Sequence, residues 1–260
     1  MNLRELHLKR LHFLSRRPAP VRYCLFDAYG TLVELDDFYG RLQSGFARRG
    51  CHIPKEDIMH AAHCEMRHYI GNSIGARDEH SWGALRIECA RVLSESLAVR
   101  GHAVSLAVDD VLHVLSNAIV FRVFPEVTEV LNALRQRFVG MAVMSNWDYQ
   151  IPSVLHGMDL SKYFDFILSS SMIGAEKPSP NFFQAGLDWA RRLHPDLDPA
   201  QCVYVGDHYE KDVVGSRLAG FKPLWLVRDQ RDLTSGESPT KRDVPLLASL
   251  RDLLHYVEQQ

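Results

Sequence analysis

Polar side chains follow apolar runs at several places in this 260-residue chain, and the runs have the length of buried strands. The candidate residues are Asp27 after Y-C-L-F, Ser145 and Asn146 after M-A-V-M, Lys177 in E-K-P-S-P, and Asp207 and Asp212 in G-D-H-Y-E-K-D. Open α/β sheets bind ligands at the carboxyl ends of their parallel strands. A single acid after a strand could simply cap a turn. The repetition of polar residues after several strands favours a ligand site.

The elements that would position these residues alternate between strands and helices. After residue 138 the pattern predicts strands at 139–144, 164–168, 202–205 and 223–227, and helices at 152–156, 180–191 and 212–219. A final amphipathic helix is predicted at 246–257. This alternation predicts an α/β fold with a doubly wound parallel sheet. Between the first strand and this region, 35–121 shows helical periodicity over four segments and is expected to form an inserted helical unit.

Composition limits the classes of function. A chain of this length with 46% hydrophobic residues can bury a large core and form two domains. A formal net charge of −2 gives no reason to expect a nucleic-acid partner. The five cysteines form no C-x-x-C pair, and the sequence shows no signal-peptide core and no apolar run long enough for a membrane span. A cytoplasmic protein is therefore expected.

Two further segments have alternative interpretations. Residues 1–20 form a basic amphipathic stretch, expected to be an extension docked on the core, with an organelle-targeting or membrane-surface helix as the alternative. In the helical insert, His60, Cys64 and His68 have the spacing of one helical face, near His52 and His63. That face could bind a transition metal, but a solvated or interhelical face is the favoured interpretation.

The order of the four motifs resembles the haloacid dehalogenase (HAD) superfamily of aspartate-nucleophile hydrolases. The resemblance runs from Val21 to Val227 outside the insert and rests on D-x-x-G-T-L at Asp27, S-N at Ser145, K-P at Lys177 and G-D-x-x-x-x-D at Asp207. It implies a Rossmann-like core formed by 21–34 and 122–260. The insert at 35–121 would then be the family's cap, which closes over the nucleophile and selects the substrate.

The resemblance also implies roles for individual residues. Asp27 would be the nucleophile, and Ser145 and Lys177 would hold the phosphoryl oxygens, with Thr31 and Asn146 also binding substrate. Mg²⁺ would be held by the Asp27 carboxylate, the Tyr29 backbone carbonyl and Asp207, and Asp212 would act indirectly or through a bound water. The expected partner is a small phosphorylated molecule.

One position departs from the motif of most phosphatases in the superfamily, which have a second Asp where this chain has Tyr29. A phenol with a pKa of ~10 cannot readily serve as both acid and base at neutral pH, so slow turnover is expected. The segment D-A-Y-G-T-L is similar to that of the metal-free 2-haloacid dehalogenases, the main alternative. Those enzymes tend to carry Ser and Asn where this chain has Asp207 and Tyr209, and its later segments look like a phosphatase-like branch. A catalytically weak binding or regulatory protein is the third possibility.

Overall fold

A parallel six-stranded sheet forms the centre of the molecule, as predicted, in a computed structural model that describes residues 19–102, 105–228 and 244–260. Its strands are β1 (Tyr23–Phe26), β4 (Gly140–Ser145), β5 (Phe166–Ser169), β6 (Cys202–Gly206), β7 (Lys222–Leu226) and β8 (Leu246–Leu247). They lie in the order β5-β4-β1-β6-β7-β8. A separate antiparallel pair, β2 (Val33–Leu35) and β3 (Phe121–Val123), joins the sheet region to the insert.

The helices divide into two groups. The insert contains α1 (Phe38–Ala47), α2 (Lys55–Asn72), α3 (Glu79–Val99) and α4 (Val108–Ala118). The helices around the sheet are α5 (Val127–Gln136), α6 (Ile151–Gly157), α7 (Ser170–Ile173), α8 (Pro180–Leu193), a π-helical segment (Tyr209–Val214) continued by α9 (Gly215–Leu218), and α10 (Asp252–Glu258).

Strand β1 lies in the middle of the sheet because both of its faces are apolar. Cys24 and Phe26 pack into one hydrophobic cluster with residues of α5, α6 and α10. Tyr23 and Leu25 point to the other face and pack with residues of α8. Strands β4 and β6 lie on opposite sides of β1, so the order of strands reverses direction at β1. In folds of this kind, ligands bind in the crevice at such a reversal.

The insert has a hydrophobic core of its own. Buried residues from all four insert helices form a cluster separate from those of the sheet. The paired strands β2 and β3 lie at its entrance and exit, with Val33 opposite Val123. The boundaries 35–121 proposed for a cap remain a prediction, but this packing gives the insert a distinct body next to the sheet.

The prediction of one helix over 246–257 is wrong. Leu246 and Leu247 form the short edge strand β8, where the backbone N–H of Val227 donates to the Leu247 carbonyl at 2.9 Å. The helix begins only at Asp252, whose carboxylate accepts from the N–H groups of Ala248 and Ser249. Apolar spacing over so few residues does not distinguish a strand from a helix.

One other predicted segment lies largely outside the described residues. The basic stretch proposed for 1–20 overlaps them only at its last two residues. In the part of the chain that the structure describes, no helix is both long and apolar enough to cross a membrane.

Candidate active site

Three acidic side chains meet at the carboxyl ends of β1 and β6. Asp27 follows β1, Asp207 follows β6, and Asp212 lies in the π-helical segment just beyond. One carboxylate oxygen from each lies within 4.8 Å of the other two. The N–H of His208 donates to Asp212 Oδ2 at 2.8 Å, which holds this acid towards the strand ends. The sequence pattern predicted that these residues would share one edge of the sheet, and the structure brings them together.

Lys177 and Ser145 complete the cluster. The Nζ of Lys177 donates to Asp27 Oδ1 and to Asp212 Oδ1, both at 2.6 Å, and its side chain is buried. The Ser145 hydroxyl, at the end of β4, donates to the same Oδ1 of Asp27 at 2.7 Å. The second carboxylate oxygen of Asp27 accepts no hydrogen bond from the described residues and remains available to a ligand.

Asn146 fixes the position of Lys177. Its Oδ1 accepts from the backbone N–H of Lys177 at 2.8 Å, and its Nδ2 donates to the Lys177 carbonyl at 3.2 Å. Both ends of the amide are therefore bound to the backbone of the lysine loop. Asn146 lines the same cavity as Lys177, so its predicted contact with substrate remains a prediction.

Two glycines allow the acids to approach the backbone closely. Gly30 has a positive φ of 80°, and a Cβ at this position would lie 2.1 Å from Asp207 Oδ2. A Cβ on Gly206 would lie 2.3 Å from Asp212 Oδ2. Any larger residue would displace a carboxylate. The motif glycines therefore create the space in which the acids converge.

The charges of the cluster do not balance. Three carboxylates face one lysine, so when all three acids are ionised the cluster has two more negative than positive charges. Loss of hydration and the charges of Asp27 and Asp212 raise the pKa of Asp207 to about 8, although water at this exposed residue screens part of the repulsion. Burial also raises the pKa of Asp212, while Lys177 opposes this shift. Burial alone would lower the pKa of Lys177, but Asp212 and Asp27 together hold it well above its ordinary value.

The donor set fits a hard divalent cation. Carboxylate oxygens are the ligands that Mg²⁺ prefers, and one such ion would neutralise the two surplus negative charges. Among the described residues, this is the sole group of three or more His, Cys, Asp or Glu side chains with suitable spacing. The histidine face on α2 is not such a group. There His60 Nε2 lies 3.9 Å from Cys64 Sγ, which also accepts from Arg67.

Tyr29 and Thr31 differ in how they relate to the cavity. Tyr29 lines it and is 41% exposed. Loss of hydration, followed by the charges around it, raises the pKa of its phenol, so the hydroxyl stays protonated at neutral pH and is a weaker acid than an ordinary tyrosine. Thr31 is fully buried outside the cavity lining, and its hydroxyl has no hydrogen-bond partner among the described residues. Its predicted contact with substrate remains a prediction.

Arg228 is a positioning residue that the motifs did not indicate. Its Nη2 donates to the carbonyl of Thr31 at 2.7 Å and its Nε to that of Gly30 at 3.3 Å. Glu126 forms an ion pair with the same guanidinium. The loop after the candidate nucleophile is therefore anchored to the end of β7.

The cluster opens into a cavity of ≈ 560 Å³ between the sheet and the insert. Its far side is lined by insert residues with no motif: Phe38, Glu65, Met66, Tyr69, Ile70, Trp82 and Arg86. From the core side, Asp148 accepts from the Tyr69 hydroxyl at 2.8 Å and from the N–H of Gln150 at 2.8 Å. These side chains come together only through the packing of α2 and α3 over the loop after β4.

Comparison with known proteins agrees with this geometry. A family model described as haloacid dehalogenase-like hydrolase matches residues 21–220. The haloacid dehalogenase-like hydrolase domain-containing protein 3 of Bos taurus is 32% identical over 131 residues, which are 49% of this chain and 50% of that protein. The phosphoserine phosphatase of Thermus thermophilus is 31% identical over 124 residues, 47% of each protein. The chain thus spans about half the length of the curated relatives it matches.

Solved structures share the fold at lower identity. The HAD-hydrolase YfnB of Bacillus subtilis, bound to magnesium, aligns with a TM-score of 0.65 at 17% identity, over 92% of this chain and 99% of that one. The L-2-haloacid dehalogenase of Xanthobacter autotrophicus aligns with a TM-score of 0.64 at 18% identity, over 92% and 98%. These likenesses bear on the fold alone. With the family match over most of its length, the chain belongs to the haloacid dehalogenase-like hydrolases.

Proposed function

We propose that this protein is a Mg²⁺-dependent phosphomonoester hydrolase with Asp27 as its nucleophile. The observation that carries the proposal is the group of three carboxylates within 4.8 Å of one another, next to buried Lys177. A reaction without metal would gain nothing from placing two further acids beside an attacking carboxylate. A reaction on a phosphoryl group with a bound cation has use for both the acids and the lysine.

Asp27, Ser145 and Lys177 would carry out the first half of the reaction. The unbound oxygen of Asp27 attacks phosphorus, the bond to the ester oxygen breaks, and an aspartyl-phosphate forms. Ser145 and Lys177, which now bind the other oxygen of Asp27, can orient this carboxylate and donate to phosphoryl oxygens. Bound Mg²⁺, held by Asp27, the Tyr29 carbonyl and Asp207, with Asp212 through water, would offset the repulsion between nucleophile and phosphate.

The second half of the reaction has no evident base. Water must attack the aspartyl-phosphate, release phosphate and regenerate the Asp27 carboxylate. Tyr29, at the position of the family's second Asp, has a raised pKa and would be protonated at neutral pH. The leaving oxygen would therefore take its proton from solvent, and water would attack without assistance from this side chain. We infer slow turnover, most pronounced for esters with poor leaving groups.

The proposed substrate is a small phosphorylated molecule. The cavity of ≈ 560 Å³ has the size of a small-molecule site. One relative is named a phosphoserine phosphatase and another, from Escherichia coli, a pyrimidine 5′-nucleotidase, and both names denote phosphomonoester hydrolysis. The five unpaired cysteines support a proposed cytoplasmic location.

The dehalogenase alternative rests on Tyr29, since D-A-Y-G-T-L is similar to the first motif of the 2-haloacid dehalogenases. The acid at Asp207 argues against it, because a metal-free reaction with an anionic 2-haloacid would suffer from that extra negative charge. The third possibility is a binding protein with the same metal pocket. It differs from the proposed enzyme only in its rate of hydrolysis, which would be negligible.

The metal requirement can be tested by calorimetric titration with Mg²⁺. The wild-type protein should bind Mg²⁺ at millimolar or lower concentration, and Asp207→Asn should lose most of that affinity because one of the three charged oxygen donors is gone. Asp148→Asn is the matched control, since it removes a buried carboxylate from the same cavity but outside the cluster. Equal binding by wild type and Asp207→Asn would contradict the proposed ligand set.

A further inference from the structure

The guanidinium of Arg86 is buried in the wall of the cavity with its donors unused. Its side chain is 8% exposed and lines the cavity from α3. The nearest charge is Glu65 on α2, with Arg86 Nη1 3.7 Å from Glu65 Oε1, a distance too long for a hydrogen bond. In the described part of the chain Arg86 donates no hydrogen bond. A buried guanidinium has five donors, and leaving them unpaired is costly.

The charge around Arg86 disfavours a negatively charged ligand group. Glu65 is as deeply buried as Arg86, and Asp148 is a second buried acid of the same cavity that interacts electrostatically with Arg86. Burial raises the pKa of both acids, which shows that their surroundings already resist negative charge. A carboxylate or second phosphate on the substrate would meet two acids for one arginine.

The remaining lining is apolar and aromatic. Met66, Ile70, Phe38 and Trp82 line the same cavity from the insert side. The carboxylate of Asp148 is already occupied by the Tyr69 hydroxyl and the Gln150 N–H. The Cys89 thiol forms a hydrogen bond with Glu65, but a carboxylate can accept several, so Arg86 and Glu65 remain side by side as a donor and an acceptor in the cavity wall.

We propose that Arg86 and Glu65 form a specificity site for an uncharged group that both accepts and donates hydrogen bonds, such as an amide or lactam edge. Arg86 would donate to the carbonyl oxygen and Glu65 would accept from the N–H. This inference rests on the proposed function and narrows it: the substrates would be phosphomonoesters of alcohols that have an apolar body and an amide-like edge, without a second negative charge.

The test uses n-alkylphosphonates of increasing length, each with a methyl, a primary amide or a carboxylate at the far end. Their P–C bond is not hydrolysed, so calorimetry with Mg²⁺ present measures binding apart from turnover. At the length that reaches Arg86, the amide should bind about tenfold or more tightly than the methyl and the carboxylate, since a hydrogen bond to a charged group contributes roughly 1.5–3 kcal/mol.

Variants test whether Arg86 and Glu65 cause the preference for the amide compound. Arg86→Met should bind the amide and methyl compounds equally, whereas Arg91→Met, an exposed arginine on the same helix, should behave as wild type. Glu65→Gln removes the negative charge beside Arg86 and should make the carboxylate compound bind at least as tightly as the amide. This reversal keeps the test decisive even if Arg86→Met fails to fold.

The outcomes separate the two proposals. Phosphonates that bind with no preference for the amide at any length, or a wild-type preference for the carboxylate, would overturn the specificity site and leave the proposed function intact. Failure of every phosphonate, and of inorganic phosphate, to bind would overturn the proposed function and the inference with it.

Discussion

Replacing Asp27 with asparagine should reduce hydrolysis to background while the protein stays folded. The amide keeps an oxygen that can accept from Ser145 and Lys177 but removes the negative charge that attacks phosphorus. The loss should exceed the roughly 10²–10³-fold cost of deleting a single hydrogen-bond donor to a transition state. Steady-state release of phosphate from a panel of esters measures it. Folding should persist because the substitution also relieves repulsion from Asp207 and Asp212.

A matched control is available at the opposite end of the sheet. Asp165 accepts from the Tyr23 hydroxyl at 2.8 Å, and Asp165→Asn removes an exposed carboxylate just before β5, at the end of the sheet away from Asp27. Its activity should remain near that of wild type. Retained hydrolysis in Asp27→Asn with an unchanged melting temperature would assign Asp27 a structural role and exclude the covalent mechanism.

Tyr29→Asp should increase turnover. The substitution places a carboxylate at the position where most phosphatases of the family have an acid–base residue, in a cavity that already contains the other groups. General acid–base catalysis typically contributes ~10²–10⁴ in rate, so even an imperfectly placed carboxylate should give a measurable gain. The increase should be largest for alkyl phosphates, whose leaving groups need a proton, and smallest for nitrophenyl phosphate.

Tyr29→Asn is the control for this gain of function. It has the size of aspartate and opens the same space, but it cannot transfer a proton. Tyr29 is 41% exposed, so either substitution should be tolerated by the fold. If the two variants hydrolyse the esters at equal rates, any change from wild type comes from the space that the tyrosine ring vacates and not from proton transfer. A well-folded Tyr29→Asp protein no faster than wild type on either ester would show that another step limits the reaction.

The sheet could be predicted because its central strands β1 and β6 are fully buried and therefore continuously apolar. The run Y-C-L-F and its later counterparts differ from the amphipathic helices around them in both length and period. Leu246 and Leu247 lacked this contrast: two residues at a sheet edge share their apolar character with the helix that follows. The edge strand is defined by backbone bonds to β7, which no local pattern encodes.

The acid cluster of the candidate site could be predicted for a topological reason. Parallel strands present their carboxyl ends at one edge, so residues that follow β1, β4 and β6 must approach one another whatever the loops do. The far end of the cavity could not be predicted, because Glu65, Arg86 and Asp148 come together only when two insert helices pack over the loop after β4. In the sequence, Glu65 and Arg86 look like ordinary charged residues on helical surfaces.

The most direct measurement is the release of phosphate and of halide by the same preparation as Mg²⁺ is removed and restored. A panel of phosphomonoesters and 2-haloacids should be assayed with excess EDTA, and then with added Mg²⁺. The proposed function predicts phosphate release that disappears with EDTA, returns with Mg²⁺ and is absent in Asp207→Asn, with no halide release in any condition. Halide release that EDTA leaves unchanged, together with no phosphate release, would contradict it and establish the dehalogenase reaction.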